Sequence, residues 1–181
     1  CTTADASPAA GDYAIYGTRL EGQDVQLFKK GTSYAEKMTV SFWVKSNKTG
    51  TYIMEIDDND NARNINQAYT ISSADTWEKK VLTFDGDTTG AFGNDNGDSL
   101  RLLWWLGAGS NFTSGSLQTA WAGTDNTKRA VGNVNVGDNT ANDWSITGIQ
   151  MEVGEFDANS IAPFQHESFG DNLKRCQRYY Q

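Results

Sequence analysis

Residues that commonly carry catalytic chemistry are scarce in this sequence. There is a single histidine, His166, and there are two cysteines and two prolines among 181 residues. One histidine cannot form a histidine metal cluster, and no Gly-x-Ser-x-Gly motif marks a serine that it could activate. Strand carboxylates such as Glu55 carry no distinguishing motif either. We therefore expect a protein that is not an enzyme.

The two cysteines lie near opposite ends of the chain, at Cys1 and Cys176. Two cysteines do not make a disulfide scaffold. The sequence predicts two reduced thiols, with Cys176 packed as a small hydrophobic side chain, and a disulfide between them is the minority alternative.

Long apolar runs and clusters of basic residues are also lacking. No run approaches the roughly 20 apolar residues that a membrane helix needs, so no membrane insertion is expected. The 15 Lys and Arg residues are scattered and are outnumbered by 23 Asp and Glu residues, which gives a formal net charge of −8. Phosphate backbones are bound by clustered basic residues. The sequence therefore predicts no nucleic-acid partner.

What the sequence does contain is glycine, aromatic residues and alternating patterns. Residues 38–45 are the clearest case, because apolar side chains alternate with more polar ones along the segment. Strands are also predicted at residues 13–20, 25–28, 51–56, 69–71, 76–84, 100–106 and 144–153. Amphipathic strands separated by turns of Gly, Asn and Asp are typical of a two-sheet antiparallel β-sandwich, and we expect an all-β fold of jelly-roll type.

The chain ends differ from this pattern. Residues 1–12 are small and polar, which predicts a flexible start or a severed linker before a sandwich over residues 13–169. Residues 170–181 are predicted as an amphipathic C-terminal helix that packs on the sandwich or on a partner. The apolar residues that recur near helical spacing are Leu173, Cys176, Tyr179 and Tyr180.

Six tryptophans are more than packing demands. Indole and phenol rings stack on the apolar faces of sugars, although most tryptophans of a β-sandwich belong to its core. Adjacent strand residues face opposite sides, so Trp104 and Trp105 cannot both point inward. The candidate stacking residues for a glycan are Trp105, Trp121, Trp43 and Tyr52.

An acidic run at residues 57–61 places oxygen ligands at alternate positions, as calcium loops do. The candidate calcium ligands are Asp57, Asp58 and Asp60. The EF-hand pattern fails because Ala62 stands where glycine is needed and no glutamate closes the loop. An ordinary hairpin loop is the alternative interpretation.

Several segments resemble a known family. They include residues 10–13, 19–22, 40–45, 76–78, 86–90 and 163–166, with Thr-Gly-Ile-Gln-Met-Glu-Val-Gly at 147–154 and Cys-Gln-Arg-Tyr-Tyr at 176–180. Together they resemble a widespread family of phage tail-fibre and virion structural domains, which are similar to carbohydrate-binding modules of the galactose-binding-like jelly-roll class. The resemblance spans nearly the whole chain.

This resemblance implies a non-catalytic virion domain that binds host-surface glycans through exposed aromatic residues, as a homo-oligomer and most simply a trimer. One alternative is a carbohydrate-binding module of an extracellular polysaccharide-degrading enzyme. The other is a structural spacer without any ligand, because similar sandwiches serve different functions.

Overall fold

Two antiparallel β-sheets packed face to face form the body of the protein. The computed structural model describes residues 2–177. The strands are β1 (Tyr13–Glu21), β2 (Met38–Ser46), β3 (Gly50–Asp58), β4 (Arg63–Ile71), β5 (Glu78–Phe84), β6 (Asp98–Ala108), β7 (Ala122–Gly123) and β8 (Trp144–Val153). Short 3₁₀ helices span Gly22–Asp24, Gln26–Phe28, Asn126–Lys128 and Val136–Asp138, and the α-helices are α1 (Ser110–Thr113) and α2 (Phe169–Cys176).

The five-stranded sheet has the order β1-β6-β3-β4-β7, and the three-stranded sheet has the order β5-β2-β8. The chain passes repeatedly from one sheet to the other, as in jelly-roll sandwiches. The predicted all-β fold, a two-sheet antiparallel sandwich with a short C-terminal helix, is confirmed.

The sandwich interior follows the alternation in the strands. The inward residues of β2, including Val40, Phe42 and Val44, are completely buried. Across the interior, Trp104 of β6 meets Phe42 edge-on, with ring centroids 5.5 Å apart. Each such side chain contributes about 1.5–3 kcal/mol on burial, so this layer is the main source of stability.

A second apolar cluster lies on the outer face of the five-stranded sheet. Residues 109–134, here named the covering segment, run across this face and bury Ile53, Trp105, Phe112 and Ala130. The segment is held by hydrogen bonds to the backbone of β3, since Asn133 Oδ1 accepts from Ile53 N and Val134 N donates to Thr51 O, each over 2.9 Å. The five-stranded sheet is therefore buried on both faces near β3 and β6.

One predicted strand is wrong. Residues 25–28 form a 3₁₀ turn, because Lys29 follows in the left-handed region at φ 50° and Gly31 at φ 82°. Two left-handed residues so close together turn the chain and prevent extended pairing. The opposite error occurs at β4, which begins at Arg63 although only residues 69–71 were predicted as a strand.

The N-terminal segment is attached to the sandwich rather than free. Asp5 N donates to Gly137 O over 2.8 Å, and Gly109 N donates to Asp12 O over 2.8 Å. Backbone groups of Asp5, Ala10 and Asp12 thus bond to loops of the sandwich, and the flexible start or severed linker over residues 1–12 stays a prediction.

The C-terminal helix α2 begins after Ser168, whose hydroxyl accepts a hydrogen bond from Asp171 N over 3.2 Å. None of its residues is buried. Cys176 is a free thiol, and it is exposed rather than packed, which corrects the expectation from the sequence. The predicted stripe residues Tyr179 and Tyr180 lie outside the described residues. Over residues 2–177, no helix has the length and apolar character required to cross a membrane.

Candidate functional site

A groove of about 540 Å³ lies on the outer face of the five-stranded sheet, beside the covering segment. Strands β1, β3 and β6 form its floor, and the covering segment forms one wall. The side chains that give it chemical character are Tyr13, Arg19, Asp57, Arg101, Asn126 and Arg129. We take this groove as the candidate functional site because it combines aromatic, cationic and carboxylate groups.

One end of the groove is built around a buried glutamate. Both carboxylate oxygens of Glu55 accept hydrogen bonds: Arg129 Nη2 donates to Oε1 over 2.7 Å, and Trp105 Nε1 donates to Oε2 over 2.8 Å. Burial raises the pKa of Glu55, whereas the hydrogen bonds and charge of Arg129 and the hydrogen bond from Trp105 oppose that rise. The Arg129 guanidinium also lies 5.3 Å from the centroid of the Trp105 ring. This network anchors the covering segment to the sheet.

The middle of the groove contains a second set of charges, around Arg101 of β6. Arg101 Nη2 lies 2.7 Å from Asp98 Oδ2, and Nη1 lies 3.4 Å from Asp57 Oδ2. Burial raises the pKa of Asp57, and the positive charges of Arg129 and Arg101 oppose the rise. Arg19, opposite Arg101 in the β1–β6 register, is mostly exposed, and its Nε lies 3.5 Å from Asp98 Oδ2. Arg19 therefore keeps most of its hydrogen-bonding capacity for solvent or a ligand.

Tyr13 supplies the exposed aromatic ring of the groove. The residue is 62% exposed, yet its ring packs edge-on against Phe112 with centroids 5.3 Å apart. Gly17 keeps the floor open, since a Cβ there would lie 2.6 Å from Leu103 Cδ2 and 2.9 Å from the Leu102 carbonyl oxygen. The result is one ring of fixed orientation beside a row of planar polar side chains.

The four aromatic residues predicted to stack on a glycan do not lie on one surface. Trp105 and Tyr52 are fully buried, Trp105 under the covering segment and Tyr52 in the sandwich interior. Trp121 is half-buried against the main core, and its Nε1 donates to Asp85 O over 2.6 Å. Trp43 is exposed, but on the outer face of the three-stranded sheet. Of the four, only Trp105 lines the groove, and its ring is enclosed by protein groups.

The three predicted calcium ligands also point in different directions. Asp57 faces the groove, and Asp60 accepts a hydrogen bond from Gly93 N over 2.8 Å. Asp58 is buried against the ammonium group of Lys30, with Nζ 2.5 Å from Oδ2. In the part of the chain that the structure describes, no group of three or more His, Cys, Asp or Glu residues is arranged to hold a metal ion.

Tyr13, Arg101 and Arg129 were not predicted as site residues from the sequence. The sequence carried one signal, a charged residue in the middle of an apolar strand, because such residues are rarely buried without a partner. Arg101 stands between Leu100 and Leu102, in a strand that is otherwise apolar. Nothing local marks Tyr13 or Arg129, since the groove brings them together from positions more than a hundred residues apart.

Comparison with known proteins gives no assignment for this site. No family model matches the chain, and neither a curated protein nor a solved structure matches it.

Proposed function

We propose that this protein is a non-catalytic domain that binds glycans in the groove of the five-stranded sheet. The observation that carries the proposal is the exposed ring of Tyr13 beside a row of planar polar side chains, formed by Arg19, Asp57, Arg101 and Asn126. Sugar rings present an apolar C–H face and an edge of hydroxyl groups. An aromatic ring flanked by donors and acceptors complements both.

The charges in the groove support a ligand rich in hydroxyl groups. Arg101 and Arg129 are each paired with a carboxylate, so the groove presents donors and acceptors alternately rather than one large charge. Arg19 at the rim and Asn126 in the wall add further donors and acceptors. A hydroxyl group can donate to Asp57 and accept from Arg101 at the same time.

The groove favours binding over hydrolysis. Glycosidases generally use two carboxyl groups that flank the scissile bond. Glu55 is completely buried, and both its oxygens accept hydrogen bonds from Arg129 and Trp105. Asp98 is held by Arg101. Among residues 2–177, Asp57 is the one carboxylate that lines the groove, and a single carboxylate suits recognition better than acid-base catalysis.

The resemblance to phage tail-fibre domains supports a location at the surface of a virion, where the ligand is a glycan of the host. It also supports assembly as a homotrimer, which would present several grooves to one surface and increase avidity. The virion location and the trimer rest on the resemblance.

A glycan array, followed by calorimetric titration of the best hit, tests the proposal. We expect saturable binding that Tyr13→Ala weakens by about 5- to 30-fold, the equivalent of about 1–2 kcal/mol for a stacking contact. Tyr13→Phe should retain most of the affinity because it keeps the ring. Asn126→Ala, which changes the opposite wall, should also weaken binding.

Tyr34→Ala is the matched control, because Tyr34 is 77% exposed and does not line the groove. Its affinity should equal that of the unmodified protein. Glycan binding that is unaffected by Tyr13→Ala and Asn126→Ala would contradict the assignment of the groove. Hydrolysis of a bound polysaccharide, abolished by Asp57→Asn, would contradict the non-catalytic assignment.

A further inference from the structure

Exposed aromatic residues also gather on the opposite side of the sandwich, on the outer face of the three-stranded sheet. Trp43 is 44% exposed, and Trp77 and Phe164 are each 43% exposed. We name these three residues the aromatic face. None of them lines the groove of the five-stranded sheet, so this surface is independent of the function proposed above.

A β-bulge lies directly beside Trp43. Ser41 pairs with Gln150 and Trp43 pairs with Thr147, so two residues of β8 stand opposite Phe42 alone. Bulges bend a strand locally and change the direction of neighbouring side chains. The bulge therefore lies where the Trp43 side chain projects from the outer face of the sheet.

Gly148 in this bulge keeps the surface open between two rings. Its φ of +59° favours glycine. A Cβ at this position would lie 3.4 Å from Trp43 Cδ1 and 4.0 Å from Phe164 Cδ2. The two rings thus border the same shallow space, and a larger residue at position 148 would occupy it.

Two lysines accompany the rings. Lys79 of β5 pairs directly with Trp43, and Lys45 lies two residues beyond Trp43 on the same face of β2. Lys45 Nζ is 5.9 Å from the centroid of the Trp77 ring, which places Trp77 on this side as well. Across the described residues, neither lysine forms a salt bridge with a carboxylate. In a chain with a net charge of −8, these two lysines lie at the Trp43–Trp77 end of the face, whereas Glu152 and Glu167 lie beside Phe164.

From this arrangement we propose that the aromatic face binds an anionic polysaccharide, one whose sugars carry carboxylate or sulfate groups. The Trp43 and Trp77 rings would stack on the apolar faces of the sugars. Lys45 and Lys79 would pair with the acidic substituents, so the ligand and this part of the surface would carry opposite charges. The net negative charge of the chain opposes general attraction of a polyanion, so binding at this face requires local contacts.

The test uses purified chain and soluble polygalacturonate, alginate, hyaluronate and heparin, with saturation followed by tryptophan fluorescence and calorimetry. We expect at least one polymer to bind, and we expect Trp43→Ala and the Lys45→Gln/Lys79→Gln pair each to weaken binding about fivefold or more. Carboxyl-reduced or desulfated forms of the same polymer should bind more weakly, and the lysine variants should show a smaller dependence on salt.

Tyr34→Ala serves as the control that leaves both surfaces intact, and Tyr13→Ala separates binding in the groove from binding at the aromatic face. Trp43→Phe should restore most of the affinity lost in Trp43→Ala. Near-ultraviolet circular dichroism of each variant checks that the sandwich remains folded. Failure of all four polymers to bind would overturn the proposal, as would loss of binding in Tyr13→Ala alone. Sedimentation that shows a dimer dissociated by Trp43→Ala would also overturn it, because a second copy of the chain would then be the occupant.

Discussion

Lys30 occupies a buried cage of oxygen atoms, and its replacement is the sharpest test of what stabilises this sandwich. Its ammonium lies 2.5 Å from Asp58 Oδ2 and 3.1 Å from Asp87 Oδ2, and it donates to the carbonyl oxygens of Thr89 and Gly90 over 2.8 Å each. The side chain is completely buried. Lys30 therefore joins the β3–β4 turn to the loop that follows β5.

Lys30→Met keeps most of the length of the unbranched side chain and removes its charge. Asp58 and Asp87 would then stay buried without the ammonium, although Asp87 retains a hydrogen bond from Arg63 Nε over 2.7 Å. Removal of one partner from a buried ion pair typically costs about 3–5 kcal/mol, because the remaining charge is uncompensated. That cost is a large part of the about 5–15 kcal/mol by which a typical domain is stable.

Lys29→Met is the matched control, because the neighbouring lysine forms its ion pair on the surface. Lys29 Nζ lies 2.7 Å from Glu36 Oε1, but the lysine and glutamate side chains are 54% and 39% exposed. Exposed pairs contribute about 0–1 kcal/mol. Urea unfolding at neutral pH should therefore show a large loss of stability in Lys30→Met and a small one in Lys29→Met, with similar m-values.

The pH dependence of stability, compared between Lys30→Met and the unmodified protein, is a second test of the same buried ion pairs. Burial tends to raise the pKa of Asp87, but hydrogen bonds from Arg63, from Thr89 N and from Lys30 outweigh it and lower the pKa below its ordinary value of 3.8. A lowered carboxyl pKa stabilises the folded state above the unfolded value, and this contribution is lost as the pH falls through the folded value. The stability difference between Lys30→Met and the unmodified protein should thus shrink on acidification. Equal stability losses in Lys30→Met and Lys29→Met would refute the reasoning.

Three further predictions concern the groove. Burial raises the pKa of Asp57 above its ordinary 3.8. If glycan binding needs the ionised carboxylate, calorimetry should show affinity falling on acidification at a higher pH than an ordinary aspartate would cause. Binding that does not change with pH would exclude Asp57 as a charged ligand contact. Arg129→Met should destabilise the fold by about 3–5 kcal/mol in urea unfolding, because Glu55 loses its buried partner; an unchanged midpoint would count against this. Gly17→Ala should lower both stability and affinity, since Leu103 and the neighbouring carbonyl leave no room for a Cβ, whereas full retention of both would show that β1 can shift.

The main architecture could be predicted because the strands carry a strict alternation. In β2 the inward positions are apolar and the outward positions are mostly polar, and the structure buries the former. Strand β4 was largely missed because Asn64 and Asn66 occupy its outward positions and look like loop residues. They are buried by Gln118, whose Nε2 donates to Asn64 Oδ1 over 2.8 Å. A polar strand of this kind can be recognised only once its partner is known.

The groove could not be predicted for a related reason. Glu55 and Trp105 are 50 residues apart in sequence, and the structure joins them by one hydrogen bond on the outer face of neighbouring strands. The covering segment gave no sign of its role, since it contains few aliphatic residues and is held by hydrogen bonds and by the Arg129 ion pair. The adjacency of Trp104 and Trp105 did predict that one ring would leave the interior. The segment that covers this ring was not predicted.

Arg129 belongs both to the groove and to the contacts that hold the covering segment on the sheet. It pairs with Glu55 beneath the segment and also lines the groove, while Ala130, the next residue, is buried in the outer cluster. A ligand that contacts Arg129 would favour the conformation in which the segment lies on the sheet. Coupling of this kind is reciprocal, so a segment that is already ordered binds its ligand more tightly. The extensive hydrogen bonding of a polar segment is then consistent with a recognition surface, because it fixes the wall of the groove before the ligand arrives.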